Sequence, residues 1–214
     1  MVKIYIVRHG YSLGNQQGLI TGHYDCDLTE YGFKQAKLLC DYMFKNVKVD
    51  KIYSSPLCRA INTIKPLADA LCLPIEKEKA FIELAVGVWD GMLFDSLAEL
   101  YPKKFAGWVN REEGSIPEGG EEWSELYARA TKRIEEIVEE DDGKNVVICS
   151  HGGVLKALSS YFLGKKSDRM NDLDWASNAS ITEVWYDNGE YSIKNFSFDD
   201  YLGELKTALP KTVW

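Results

Sequence analysis

The chain holds three histidines, and two of them stand in matching places. His9 lies in Arg8-His9-Gly10 and His151 in Ser150-His151-Gly152, each directly after an apolar run and before a glycine. An imidazole titrates near neutrality and can serve as nucleophile or base. A guanidinium is a permanent, planar, forked cation suited to gripping anions. Arg8 and His9 side by side therefore offer a nucleophile or base next to an anion-binding group. Arg59 stands at the mouth of a third apolar run, behind Ser54-Ser55-Pro56-Leu57-Cys58. Arg8, His9, Arg59 and His151 can converge on one site if the runs that carry them lie together.

Those runs read as strands. Val2 to Val7 is dominated by β-branched residues, as is Asn145 to Cys149, and Lys51 to Ser54 is a shorter version. Two more strands are expected at Ile181 to Asp187 and Tyr191 to Phe196, joined by the turn Asp187-Asn188-Gly189-Glu190. Helical patterns fall between them. Thr29 is a plausible N-cap for a helix through Lys45, with Phe33, Ala36, Leu39, Cys40 and Met43 on one face. A second helix opens near Leu57 and ends at Leu71, before Pro74. Phe94 to Asn110 suggests one or two short helices broken at Pro102. Glu121 to Glu140 is an acidic amphipathic helix, and Val154 to Leu163 follows the second histidine. Tyr11 to Asp25 is polar and lacks periodicity, so it reads as loop. Strands alternating with helices predict an α/β fold: a three-layer α/β/α sandwich whose mostly parallel central sheet carries helices on both faces. In such sheets ligands bind beyond the carboxyl ends of strands, which is where both histidines fall.

At 214 residues and 24.3 kDa the chain fits one domain, residues 1–214. A net charge of −8 with a pI near 5.0 argues against non-specific binding to nucleic acid or an anionic membrane. An anion can still be bound where arginines and backbone N–H groups gather locally. Five cysteines, Cys26, Cys40, Cys58, Cys72 and Cys149, show no metal-type pairing, and their odd number suggests reduced thiols in the cytoplasm. The apolar opening is too short and interrupted for a secretory signal, and no run approaches the ~20 apolar residues of a membrane span. A G-x-G-x-x-G turn after the first strand is absent, which disfavours a dinucleotide-binding protein.

Taken together, the motifs resemble the histidine phosphatase superfamily, which includes the cofactor-dependent phosphoglycerate mutases. The carriers are Arg8-His9-Gly10 with Ser12 and Asn15, then Thr21-Gly22 followed by Asp27-Leu28-Thr29. Ser54-Ser55-Pro56-Leu57-Cys58-Arg59-Ala60 comes next, then Glu83 ahead of Gly87-x-Trp89-Asp90-Gly91, and finally Ser150-His151-Gly152-Gly153. They run through nearly the whole chain in order.

The resemblance implies a phosphoglycerate mutase-like fold and phosphoryl transfer through a phosphohistidine. His9 would be the nucleophile, its imidazole kept neutral by nearby cations. Arg8, Arg59 and His151 would clamp the phosphate, with arginine forks on pairs of oxygens. Asn15, Thr21, Gly22 and the N–H of Gly152 would add neutral donors. Glu83 would be the general acid that protonates the leaving alkoxide and then activates water. No metal and no cofactor are implied. The expected partner is a small phosphorylated substrate, with no nucleic acid or membrane, bound by a monomer or homodimer.

The resemblance leaves open which reaction is run. Family mutases have a longer, basic, proline-rich segment after the Glu motif. Here Met92 to Pro117 is short and offers Lys103, Lys104 and Arg111. Gly153 stands where mutases tend to carry Asn. Both differences favour hydrolysis of phosphomonoesters over a bisphosphoglycerate-dependent mutase, and the intact set His9, Arg8, Arg59, Glu83 and His151 argues against a silent phosphate-binding regulator. Tyr11 and His23 depart from the family pattern and are expected at the rim. The segment at about 92–120 is expected to be variable and lid-like, although core packing is the preferred reading of Phe94, Tyr101, Phe105 and Trp108.

Overall fold

The computed structural model describes residues 1–207; the remainder of the expected 1–214 domain lies outside the described residues. Six strands form one sheet in the order β3-β2-β4-β1-β5-β6. They are β1 (Val2–Arg8), β2 (Lys51–Ser54), β3 (Ile75–Lys77), β4 (Asn145–Ser150), β5 (Ile181–Asp187) and β6 (Glu190–Phe198). The pairs β1–β4, β4–β2 and β2–β3 are parallel, while β5 pairs antiparallel with both β1 and β6. The sheet is therefore mixed, with a parallel centre and a hairpin at one edge. That hairpin turns at Asn188 and Gly189, both at positive φ, as the Asn-Gly pair predicts.

Alternation along the central strands sends side chains to two separate cores. Ile4, Ile6, Val146 and Ile148 face one layer, which contains α6 (Trp123–Glu140) and α7 (Gly152–Phe162). Tyr5, Val7, Ile52, Val147 and Cys149 face the other, made by α2 (Glu30–Asn46) and α3 (Cys58–Leu71). The three-layer arrangement follows from this period of two in strands buried on both faces. Thr29 caps α2 as expected, its side chain accepting from Gly32 N–H. Pro102 opens α5 (Pro102–Val109) after α4 (Phe94–Leu100), so the break falls where the sequence places it.

Two elements differ from the sequence reading. Ser12 caps a single helical turn, α1 (Leu13–Gln17), inside the stretch read as loop. Five residues carry too little periodicity to announce themselves; a reciprocal cap between Ser12 and Asn15 holds the turn. Strand β3 is a three-residue edge strand whose residues are exposed or half-buried, so no apolar alternation marks it. The aromatics of 92–117 divide as core packing requires. Trp108 is buried with Trp89 and Trp123, Phe94 and Phe105 lean against that cluster, and Tyr101 lies largely exposed beside Trp89.

Candidate active site

The β1–β4 pairing brings the two histidines together. Arg8 lies opposite Ser150 in register, and the next residue of each strand is a histidine. His9 N–H donates to Ser150 O at 2.9 Å, and the two imidazole centroids are 5.2 Å apart. His9 Nδ1 sits 2.8 Å from the Gly10 carbonyl. A carbonyl can only accept, so Nδ1 carries the proton and Nε2 keeps the lone pair. Burial, then Arg59 and Arg8, push the His9 pKa well below the usual histidine range. The ring is thus a neutral base with its free nitrogen assigned.

His151 is also buried and held neutral, by desolvation first, then by Arg59, His9, Arg8 and Arg129. Arg59 Nε donates to His151 Nδ1 at 3.2 Å. His151 therefore carries its proton on Nε2, which donates to Ser55 Oγ at 2.7 Å. It is an oriented neutral donor.

Arg59 occupies the first turn of α3, which Asp25 steadies by accepting the Cys58 N–H at 2.8 Å. Its guanidinium is fully buried. Besides the bond to His151, Nη2 donates to Thr21 O and Gly22 O, and Nη1 donates to Tyr24 O. A guanidinium has five N–H groups, so one remains uncommitted. Arg59 thus fixes the 21–24 loop and supplies charge, in place of the open fork that the sequence suggests. Arg8 is less committed: Nη1 donates to Ala176 O at 2.5 Å, while Nε is buried with no acceptor. Burial, with Arg59 adding to it and Glu83 opposing, brings the Arg8 pKa down to about 10.

Glu83 follows a single 3-10 turn, Lys79–Phe81, and is 4% exposed. Leu84 N–H donates to Oε1 at 2.8 Å and Gly153 N–H to Oε2 at 3.0 Å. The second bond ties Glu83 to the first turn of α7, next to His151. A Cβ on Gly153 would lie 2.4 Å from Glu83 Oε1, so this position needs glycine for close approach. The backbone under Glu83 is clamped from α6. Arg129 makes a two-pronged bond to Glu121 at 2.6 and 2.9 Å, and reaches Ala80 O and Glu83 O. Glu121 in turn accepts the Ala85 N–H, and exposed His23 places Nε2 3.0 Å from Glu83 O. Ser150 Oγ donates to Phe81 O at 2.8 Å.

The neutral donors divide. Asn15 Oδ1 accepts from Ser12 N–H and from Asn178 Nδ2, both at 3.2 Å, which leaves its amide nitrogen to donate. Asn178 also donates to His9 O at 3.0 Å. The Gly152 N–H is the first of α7, a group that the helix itself cannot bond. Gly22 differs from expectation: its N–H donates to Asp90 Oδ1 at 2.8 Å, and its carbonyl accepts from Arg59. A Cβ there would lie 2.4 Å from Leu84 O, so the glycine permits two loops to touch. Thr21 is buried, its carbonyl engaged by Arg59 and its methyl packed toward Gly14.

The arrangement is two neutral imidazoles, the half-buried Arg8 guanidinium, the buried Arg59 guanidinium and the Glu83 carboxylate, joined by short contacts. A family model described as the histidine phosphatase superfamily (branch 1) matches residues 4–199. The chain belongs to that superfamily. It is 33% identical over 216 residues to "Phosphoserine phosphatase 1" of Hydrogenobacter thermophilus, covering 100% of both chains. It is 34% identical over 187 residues to "Probable phosphoglycerate mutase GpmB" of Yersinia pestis, covering 87% of this chain and 86% of that one. Among solved structures, "Bacillus stearothermophilus YhfR" superposes with a TM-score of 0.88 at 25% identity, covering 94% of this chain and 100% of that one.

Within this histidine phosphatase, the structure gathers Arg8, His9, Arg59, Glu83 and His151. The sequence gives no sign of Asn178, Arg129 or Glu121, and Ser55 stands out in it only within the Ser54-to-Ala60 motif. Asp90, within the Gly87-x-Trp89-Asp90-Gly91 motif, accepts from Gly22 and His23 N–H and so holds their loop. The unanticipated residues act on backbone or on other side chains, so residue type alone gave no sign of them.

Proposed function

We propose that this histidine phosphatase hydrolyses a small phosphomonoester through a phosphohistidine on His9. The observation that carries the reading is the His9 Nδ1 bond to the Gly10 carbonyl, which leaves Nε2 as a directed lone pair. Nε2 attacks phosphorus, the ester P–O bond breaks, and the leaving alkoxide takes a proton from Glu83. Glu83, now a carboxylate, removes a proton from water as that water attacks the phosphohistidine. The P–N bond breaks, its electron pair returns to Nε2, and inorganic phosphate leaves. Arg8 and Arg59 balance the phosphoryl charge, with Asn15, Thr21 and the Gly152 N–H as neutral donors, joined by the His151 Nε2–H once it exchanges Ser55 Oγ for a phosphoryl oxygen. We place the protein in the cytoplasm, where its five free thiols would persist.

The name of the Hydrogenobacter relative points to the same reaction. Hydrolysis is favoured over mutase action because Gly153 is fixed by its contact with Glu83, and the 92–117 segment folds into the aromatic core. His9→Ala should abolish phosphate release from every monoester, and an acid-labile phosphoenzyme should form in wild type alone. Full activity in that variant would sink the reading. Conversion of 3-phosphoglycerate to 2-phosphoglycerate stimulated by the bisphosphate would move the chain to the mutases.

A further inference from the structure

The peptide unit between Gly10 and Tyr11 holds the His9 imidazole at one end, and its other end is held in turn. Its carbonyl takes the Nδ1 proton of His9 at 2.8 Å, and its N–H donates to Gln35 Oε1 at 2.8 Å. Gln35 lies on α2, fully buried, and its Nε2 donates to the Leu205 carbonyl at 2.8 Å. The side-chain amide has no freedom to turn over. A peptide N–H can only donate and a carbonyl can only accept, so its oxygen must face Tyr11 and its nitrogen Leu205. The segment that carries Leu205 is anchored to α2 independently. Tyr31 Oη donates to Glu204 O at 3.1 Å, and Tyr201 stacks on Tyr42 with ring centroids 4.8 Å apart. The peptides on either side are pinned by hydroxyls: Thr63 Oγ1 accepts the Gly10 N–H at 2.8 Å, and Thr29 Oγ1 donates to Tyr11 O at 3.0 Å.

Three donors and three carbonyl-type acceptors thus run head to tail from the imidazole: His9 Nδ1–H to Gly10 O, Tyr11 N–H to Gln35 Oε1, and Gln35 Nε2–H to Leu205 O. In such a chain each donated bond makes the carbonyl behind it a better acceptor, and the low dielectric of the interior strengthens every link. We infer that Gln35 is a positioning residue for the nucleophile: by holding the 10–11 peptide it keeps the His9 proton on Nδ1 and the lone pair on Nε2. Its effect passes through one peptide unit. Without the Gln35 oxygen the Tyr11 N–H loses its acceptor, and leaving a poorly solvated donor unpaired is costly. Rotation of the peptide toward another acceptor relieves that cost and carries the Gly10 carbonyl away from Nδ1. His9 would then populate the other tautomer, whose Nε2 bears the proton and cannot attack phosphorus. A buried glutamine that merely joined α2 to the segment around Leu205 would leave that proton where it is.

The inference rests on the reading of His9 as nucleophile, and the spectroscopic arm of its test needs no turnover. Long-range proton–nitrogen NMR spectra separate a protonated ring nitrogen from one with a lone pair, and His9→Gln identifies the His9 signals among the three histidines. In wild type His9 should show its proton on Nδ1. Gln35→Met keeps the length of the side chain and removes both polar groups. The His9 signals should then move toward a mixture of tautomers. In the same variant kcat/KM on p-nitrophenyl phosphate should fall about tenfold, the upper end for one neutral hydrogen bond, with inhibition by inorganic phosphate little changed. Gln35→Glu keeps an oxygen for the Tyr11 N–H and should retain the wild-type tautomer and most of kcat/KM. An unchanged His9 tautomer in Gln35→Met would overturn the inference, whatever happens to the rate. If Gln35→Met does not fold, Gln35→Glu decides: loss of the Nδ1 proton with an acceptor still in place overturns it equally. Absence of a phosphoenzyme in wild type would count against the nucleophile reading alone and leave the tautomer spectra to decide the role of Gln35.

Discussion

At the scale of single residues, the site is built around two proton positions. The Gly10 carbonyl sets the tautomer of His9, and Arg59 sets that of His151. Glu83 is placed by two backbone N–H groups, so the acid role proposed for it depends on staying within reach of the leaving oxygen. Glu83→Gln should therefore depress kcat on alkyl phosphates far more than on p-nitrophenyl phosphate, whose leaving group needs little protonation. Equal losses on both would remove the acid role. Gly153→Ala tests placement without touching the carboxylate. Its methyl would press on Glu83 Oε1, at 2.4 Å, and the carboxylate must move. A displacement of about 1 Å can cost on the order of 10²-fold. The expected result is such a fall in kcat on alkyl phosphates, with p-nitrophenyl phosphate again less affected; unchanged kinetics would show that Glu83 has room to spare.

At the scale of elements, strand pairing places the histidines, and a helix places Glu83. β1 and β4 are adjacent and parallel, which makes His9 and His151 neighbours by register. This is legible from sequence because both strands are rich in β-branched residues and lead into the same His-Gly pair. Glu83 is different. It sits on an irregular segment whose position depends on Arg129, eight residues beyond Glu121 on the helix α6 side, and on Ser150 at the end of β4. Arg129 lies in an amphipathic acidic helix and looks there like any solvated cation, so sequence could not single it out. The same holds for Asn178, whose value lies in bonds to the His9 carbonyl and the Asn15 amide. Arg129→Met should lower kcat on alkyl phosphates by about tenfold with KM little changed, as loss of positioning and not of binding would do. Glu121→Gln should act alike, and the double variant should be hardly worse than Arg129→Met, because both changes break one clamp. Additive losses would mean that the two residues act separately.

At the scale of the whole molecule, an acidic chain buries a basic site, and that has a cost which pH exposes. His9 and His151 are both held neutral by burial and by the guanidinium groups facing them. The groups around His9 are Arg59, Arg8 and the Gly10 carbonyl; around His151 they are Arg59, His9, Arg8 and Arg129. In the unfolded chain both would titrate near about 6.5. Their folded pKa values lie below that, so on acidification the unfolded state takes up protons first. Stability is then unaffected by these two groups above about pH 6.5 and falls below it, until the folded pKa values are reached. Each histidine contributes a slope of about 1.4 kcal/mol per pH unit in that window. Urea denaturation of wild type and His9→Gln at pH 7.5, 6.5 and 5.5 isolates one of them, since the carboxylates are common to both chains. The variant should lose stability less steeply between pH 6.5 and 5.5, by about one histidine's slope. Parallel losses would mean that His9 takes up a proton in the folded protein as readily as in the unfolded one. Such a histidine would have no lone pair to offer in mildly acidic solution. The acidic limb of kcat/KM on p-nitrophenyl phosphate should agree, lying below the usual histidine range, because the nucleophile keeps its lone pair wherever the fold keeps it neutral.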